Sequence, residues 1–291
     1  MKRICLAFWL LFTATAFAQK SFDFQPQLQA QGHYKVQHEQ STQIRMDVSA
    51  DDKEDQKELL KALEAGGMKL PFVFSNVTKS KVDARLQAGK DKLMPIVLTI
   101  EDMEITQIVG DEIEKADVSE TIGEQWKGKY SVAKGLQDEQ APSEGEEASV
   151  IEEIVREMLF FIQTQNHWSP KTLEKGDSFE TEYPLDVPIP NQGDISLTIS
   201  TTYTVQKIKS GKAWLKIEQH FDSRSALKGE ESEGLRFTMT GDGDGMIVYN
   251  IDGKYVEDNH LRFEGDLFFE ILGMRMQMDF VTVSDQQNQK L

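Results

Sequence analysis

Residues 148–170, ASVIEEIVREMLFFIQTQNHWSP, contain the strongest helical pattern in the chain. At 100° per residue, the apolar side chains fall on one half of the helical wheel and most polar ones fall on the other. Most of the remaining chain has the pattern of β-strands. The sequence therefore predicts an amphipathic helix that covers one face of a curved sheet. The apolar half comprises Val150, Ile151, Ile154, Val155, Met158, Leu159, Phe161 and Ile162.

The chain after this helix predicts a meander of antiparallel strands. Apolar and polar residues alternate through 195–221 and again through 261–271, which is the period of a half-buried strand. Ser210-Gly211, Asp252-Gly253 and Gly273 predict tight turns. So many consecutive strands predict a sheet that curls or splits. The predicted strands span 178–187, 195–208, 213–221, 235–240, 246–251, 255–256, 261–271 and 274–283.

The chain before the helix contains further strands and a second helix. Residues 34–48 predict a half-buried strand pair, with the polar run 39–42 as a turn or an exposed crossing. Asp51 and Asp52 can cap a helix of about Lys53–Ala65. Residues 70–77 predict an extended segment, because a proline stands early in an apolar run.

A change of parity within residues 95–109 predicts a β-bulge. Ile96, Leu98 and Ile100 are at even positions, whereas Met103 and Ile105 are at odd positions. One extra residue near Glu101 or Asp102 would place both sets on the same face of the sheet. The predicted fold class is accordingly mainly β with α (α+β), a curved antiparallel sheet or incomplete β-barrel covered by an amphipathic helix.

The N-terminal sequence MKRICLAFWLLFTATAFAQK has the features of a secretory signal peptide. We expect residues 1–18 to be cleaved, leaving residues 19–291 as a single β-rich domain. A boundary between two halves, if there is one, falls in the acidic segment 134–148. The predicted location is secreted or periplasmic. No later stretch predicts an integral membrane segment, because none approaches ~20 uncharged apolar residues.

Charge and cysteine content exclude several classes of function. Cleavage would remove Cys5, the single cysteine, and with it disulfides, thiolate metal sites and a cysteine nucleophile. It would also take the net charge from −17 to −19, because Lys2 and Arg3 are lost. Such a charge repels phosphate backbones, so nucleic acid is not an expected partner. The five histidines have no spacing typical of zinc ligands.

Residues Gly176-Asp177-Ser178 resemble the GDS block of the GDSL hydrolases, in which the serine is the nucleophile. Glu257 and His260 resemble that family's Asp-x-x-His. In that family the block lies near the start of the chain and leads into a helix. Here an alternating strand pattern follows it, which favours a tight turn at 175–177 instead of a catalytic site.

The run Gly241-Asp242-Gly243-Asp244-Gly245 resembles the start of a calcium-binding loop. The later ligands of an EF-hand loop are missing, since Met246 stands where an oxygen donor is needed. We therefore interpret the run as a glycine-rich hairpin connection or a place where the sheet folds back.

A methionine cluster marks the last predicted strand. Thioethers fill cores, line adaptable apolar pockets, or bind Cu(I). Core packing is the favoured interpretation and a ligand pocket is the next; copper is disfavoured because no His or Cys completes a site. No cofactor is expected. The residues predicted to contact an apolar ligand are Met158, Phe161, Phe269, Met274, Met276 and Met278.

The phrases LEKGDSF, YTVQKIKSGKAWLKI and GDGDGMIVYNIDGK resemble stretches of uncharacterised exported bacterial proteins with a fold like the lipoprotein-localisation carriers (LolA/LolB-like). That resemblance implies an incomplete antiparallel barrel around a helical lid, with acyl chains held between them. It assigns no residue roles.

Three hypotheses for function follow. The first is an exported binding protein whose concave sheet holds a lipid or a lipid-modified partner. The second is a structural or interaction protein of the cell envelope with a filled core. The third, a serine hydrolase, has the least support, and the protein is expected not to be an enzyme.

Overall fold

In the computed structural model, nearly all of the protein's residues that the structure describes lie in β-strands. The described residues are 21–50, 52–65, 70–89, 93–110, 112–131, 135–138, 170–189, 193–223, 236–271 and 274–291.

One helix and fourteen strands make up these residues. The helix α1 spans Lys53–Ala65. The strands are β1 Ser21–Phe24, β2 His33–Ala50, β3 Phe72–Leu86, β4 Met94–Val109, β5 Glu112–Lys115, β6 Gln125–Ser131, β7 Gly135–Asp138, β8 Lys171–Glu174, β9 Ser178–Ile189, β10 Gly193–Lys209, β11 Lys212–Ser223, β12 Arg236–Asn250, β13 Tyr255–Ile271 and β14 Met274–Lys290.

Twelve strands form one antiparallel sheet in the order β7-β6-β4-β3-β2-β14-β13-β12-β11-β10-β9, with β5 also paired to β4. Strands that are consecutive in sequence are mostly adjacent in the sheet. One exception is the pairing of β2 with β14, which connects the N-terminal strands to the C-terminal strands. The outermost strands β7 and β9 do not pair with each other, so the sheet is open. β1 and β8 form a separate two-stranded ribbon.

The predicted α+β fold class is wrong, because the described structure is nearly all β and no amphipathic helix of the described residues covers its open antiparallel sheet. In these residues the only helix is α1, which packs beside β2 and covers no face of the sheet. The helix predicted within 148–170 lies outside the described residues. Long strands, which satisfy their backbone groups by pairing, organise the described residues.

Several local predictions are confirmed. α1 has the predicted bounds, and its N-terminus is capped by Asp52, whose Oδ1 accepts a hydrogen bond of 2.7 Å from the amide of Glu54. The bulge also occurs: Lys81 pairs with Asp102 and Val82 with Ile100, so Glu101 is the extra residue.

Strand lengths were underestimated wherever polar residues occur inside a strand. Residues 39–42 continue β2 and do not form a turn. The predicted strands 235–240 and 246–251 are one strand, β12, and 255–256 and 261–271 are one strand, β13. Polar residues are compatible with a strand interior because one face of an antiparallel sheet can contact water.

Two apolar clusters lie on one face of the sheet, which we call the inner face. One cluster is formed by β2, β3, β4 and β6 around Tyr34, Ile96 and Tyr130. The other is formed by β9 to β13 around Leu215 and Tyr249, with Phe24 of the ribbon packed onto it. The ring centroids of Phe24 and Tyr249 are 4.9 Å apart.

The segment between β1 and β2 crosses the inner face and contacts both clusters. The Tyr249 hydroxyl accepts a hydrogen bond of 3.3 Å from the amide of Gln25, and the Tyr130 hydroxyl accepts one of 3.3 Å from the amide of Leu28. The Tyr34 hydroxyl accepts a third, of 3.0 Å, from the amide of Gln29. Tyrosines from opposite sides of the sheet therefore hold one short segment.

These hydrogen bonds favour a bent sheet, because a flat sheet would need the Tyr130 and Tyr249 side chains to lie along its surface toward each other instead of standing away from it. Gln25 and Leu28 are three residues apart, so their amides are separated by at most about 10 Å. The hydroxyls of Tyr130 and Tyr249 are then within about 17 Å of each other. Six strand spacings separate β6 from β12, which corresponds to about 29 Å in a flat sheet. The inner face is therefore concave at this end, which we call the closed end.

Candidate ligand-binding face

The strand register assigns each side chain to a face, because residues directly opposite in an antiparallel pair share the same side of a sheet. The inner face receives the even positions of β2, β3 and β14 and the odd positions of β12 and of residues 259–267 in β13. The other face, the outer face, receives the alternate positions.

Charge is confined to the outer face in the central strands. Asp242, Asp244 and Glu264 point outward, as do Arg45 and Asp279 of the neighbouring strands. In the described inner-face positions of β2 (34–48), β12 (239–249), β13 (259–267) and β14 (276–288), there is no carboxylate, ammonium or guanidinium group. A surface of this kind can desolvate an apolar ligand without desolvating a charge.

In β14, β2 and β3 the inner face has a sharp boundary between apolar and polar side chains, whereas β13 stays apolar through Phe263 and Leu261, which lie opposite Thr282 and Ser284. Phe280, Ile44 and Phe74 form the last apolar row across β14, β2 and β3. The next row, two residues on, is Thr282, Thr42 and Asn76. We call the two sides the apolar end and the polar belt. The apolar end comprises Ile44, Met46, Val48, Phe72, Phe74, Phe263, Leu267, Met276, Met278 and Phe280; the polar belt comprises His38, Gln40, Thr42, Asn76, Thr78, Ser80, Asn259, Thr282, Ser284 and Gln286.

The apolar end contrasts with the closed end in its exposure. All ten of its side chains are only partly buried, whereas the two clusters at the closed end are almost entirely buried. An apolar molecule that covers these partly buried phenylalanine and methionine side chains is stabilised by roughly 25 cal/mol for each Å² of apolar surface removed from water.

Three phenyl rings lie flat on the sheet because glycines stand directly opposite them. Phe221 pairs with Gly241, Phe263 with Gly243, and Phe280 with Gly265. A Cβ atom at Gly243 would lie 2.8 Å from a ring carbon of Phe263, and one at Gly265 would lie 2.9 Å from a ring carbon of Phe280. The rings contact one another, with centroids 4.7 Å apart for Phe221 and Phe263 and 5.8 Å apart for Phe263 and Phe280.

This arrangement explains the run Gly241-Asp242-Gly243-Asp244-Gly245. The interpretation as a hairpin or fold-back is wrong, because the run lies inside β12 in the middle of the sheet. Gly241 and Gly243 make room for aromatic rings on the inner face, and Gly245 lies against the backbone of β13 at His260. The aspartates of the run are exposed on the outer face. Among the residues that the structure describes, no three His, Cys, Asp or Glu side chains converge to bind a metal ion.

The structure places some of the predicted ligand residues together. Met276 and Met278 lie on the apolar end, directly opposite Val48 and Met46 of β2. Phe269 is in β13 and Met274 begins β14, but their side chains are not described. Met158 and Phe161 lie outside the described residues. The sequence analysis missed the phenylalanines of β3 and the rings over the glycines.

The groups of the suggested serine hydrolase are far apart. Ser178, Thr204, Lys216, Met246 and His260 lie in one row across five strands. Four strand spacings place Ser178 about 19 Å from His260. Ser178 Oγ lies 2.8 Å from Thr204 Oγ1, and the predicted turn at 175–177 is confirmed, with Gly176 at φ 95°. Ser178 and His260 therefore cannot form a nucleophile–base pair.

Among the described inner-face positions the one histidine is His38, in the polar belt. Its Nε2 lies 3.1 Å from Ser284 Oγ. Burial lowers the pKa of His38 below its ordinary value of 6.5, and nearby Asp285 opposes that shift only in part. The belt is consequently uncharged at neutral pH.

A groove of about 420 Å³ lies on the outer face across β14, β2, β3 and β4. Its charged side chains pair with each other: Lys79 Nζ is 3.0 Å from Glu39 Oε1, and Lys81 Nζ is 2.7 Å from Asp102 Oδ2. Because these two cations already have carboxylate partners, they are not free to bind an anion.

Comparison with known proteins gives no family. No family model matches the chain, and no curated protein matches it. Among solved structures, one of lipovitellin, titled for its lipid–protein interactions, matches 91% of this chain at 12% sequence identity with a TM-score of 0.45. The chain spans 25% of that lipovitellin chain. A similarity this loose assigns no function, and the resemblance to the lipoprotein-localisation carriers stays a prediction.

Valine substitutions at two adjacent positions of β12 test whether Gly243 makes room for the Phe263 ring. Gly243→Val forces Phe263 off the sheet and should lower the free energy of unfolding by about 1–3 kcal/mol, the usual cost of overpacking. Asp244→Val introduces the same side chain on the exposed face and should change stability by no more than about 0.5 kcal/mol. Urea unfolding of both variants measures the difference; equal effects would contradict the assignment of faces.

Proposed function

We propose that this protein is exported and binds the acyl chain of a lipid on the apolar end of its inner face. The observation that carries the proposal is the uncharged inner face, whose partly buried phenylalanine and methionine side chains lie together across neighbouring strands. The proposal includes no catalysis.

The chemistry of the apolar end fits a flexible chain. Each methylene group that moves from water to this surface contributes about 0.8 kcal/mol. Methionine side chains adapt their shape to variable apolar ligands, and Met46, Met276 and Met278 lie next to each other. Residues 274–280 of β14 extend over about 20 Å, a length comparable with that of an extended fatty acyl chain.

A second candidate is an interaction protein of the cell envelope. The two almost fully buried clusters and the segment 25–29 that crosses between them favour it, because they fill the closed end with the protein's own side chains. In that case the apolar end would contact an envelope protein, and the purified chain would not bind lipid.

Export rests on the N-terminal sequence. Lys2 and Arg3 precede the apolar run 4–17, and Ala16 and Ala18 are the small residues that signal peptidase requires. In the described residues no helix combines the length and the hydrophobicity of a membrane span. N-terminal sequencing of the protein recovered from the periplasm or the medium should begin at Gln19; a protein that keeps residues 1–18 and stays in the cell would contradict export.

Two lysine substitutions test acyl-chain binding. Met278→Lys places an ammonium group on the apolar end and should weaken binding at least tenfold, because the charge must be desolvated. Gln277→Lys adds the same charge one residue away on the outer face and should leave binding unchanged. The probe is 1,6-diphenylhexatriene, an uncharged rod whose fluorescence rises in apolar surroundings.

Circular dichroism controls for folding of both variants, and Met278→Thr is the milder replacement if the lysine variant unfolds. Absence of probe binding to the wild-type protein, or equal loss in both lysine variants, would contradict the proposal.

A further inference from the structure

The polar belt contains buried polar atoms that lack a partner within the described structure. Ser80 and Asn259 are each 5% exposed. Ser80 Oγ, Asn259 Oδ1 and Asn76 Oδ1 have no hydrogen-bond partner. Buried polar groups in folded proteins are nearly always hydrogen-bonded, so each such atom requires an explanation.

The unpartnered atoms share one side of the molecule. Asn259, Gln286, His38 and Ser80 form one row of the inner face across β13, β14, β2 and β3. Asn76 lies two rows away, next to the last apolar row. The belt thus lies between the closed end and the apolar end, where a headgroup would sit if its acyl chain lay along Met278 and Met276.

The chemistry of the belt selects the headgroup. An amide oxygen accepts hydrogen bonds, and a serine hydroxyl accepts or donates one. Hydroxyl groups of a ligand, directly or through bridging water molecules, could therefore satisfy these atoms, of which Ser80 and Asn259 lie three strand spacings, about 14 Å, apart. A phosphate or carboxylate would be desolvated there without a lysine or arginine to pair with it, because the described inner-face positions contain neither in the belt.

We propose that the polar belt binds the uncharged, hydroxyl-bearing headgroup of a neutral lipid such as a monoacylglycerol, with the headgroup toward the closed end and the acyl chain on the apolar end. This inference rests on the proposed acyl-chain binding and adds the class of lipid.

Three lipids with the same oleoyl chain test the selection: monooleoylglycerol, oleate and oleoyl lysophosphatidate. Each competes with 1,6-diphenylhexatriene below its critical micelle concentration at pH 7.5. We expect monooleoylglycerol to displace the probe at a concentration at least tenfold lower than either anion. Equal displacement by all three, or tighter binding of an anion, would overturn the headgroup inference but not acyl-chain binding. If the probe and all three lipids fail to bind, both proposals fall.

Variants of the polar belt test whether its side chains cause the preference for monooleoylglycerol. Asn259→Leu and Ser80→Ala should reduce the preference for monooleoylglycerol to threefold or less, while probe binding is retained. Ser80→Ala removes a single oxygen atom and keeps the test valid if Asn259→Leu does not fold. The matched control is Gln287→Leu, an exposed change on the outer face beside Gln286, which should keep the full preference. An unchanged preference in the folded belt variants would contradict the inference.

Discussion

The two-residue period of long antiparallel strands separates charge from apolar surface in this protein. Seventeen residues of β2, 34–50, pair with all seventeen residues of β14 without a shift of register. A shift of one residue would exchange the faces and place Asp47, Asp279 and their neighbours inside. Because the register is continuous, the inner-face positions 34–48 of β2 and 276–288 of β14 are uncharged, and Lys290 at the end of β14 is the charged residue on that side, while the outer face carries many charges.

Glycine and tyrosine residues adapt this sheet to its shape. Glycines opposite Phe221, Phe263 and Phe280 leave room for the three rings. The rings contact one another and form a continuous aromatic surface on the inner face. At the closed end, the hydroxyls of Tyr130 and Tyr249 hold the segment 25–29 and draw distant strands together. The inner face therefore consists of a filled region and a partly exposed region, separated by polar side chains.

Sequence patterns predicted the strands where alternation was strict and failed where polar residues lay on the outer face of a long strand. The parity change around Glu101 identified the bulge, since a bulge is a local event in one strand. The glycines at 241–245 were misinterpreted because their reason is long-range: Gly241 and Gly243 each face a ring from another strand, and Gly245 lies against the backbone of His260. Alternation alone predicted that Met276 and Met278 share a face, whereas the neighbouring phenylalanines of β3 required knowledge of the sheet order, which local sequence does not contain.

Cysteine scanning along β14 tests the separation of faces most directly. In a Cys5→Ser chain, single cysteines at positions 276 to 281 are labelled with a maleimide, with and without monooleoylglycerol. The account predicts that lipid protects the cysteines at 276, 278 and 280, which share the inner face, and leaves those at 277, 279 and 281 fully reactive. Equal protection of both sets, or protection of the odd positions alone, would contradict it.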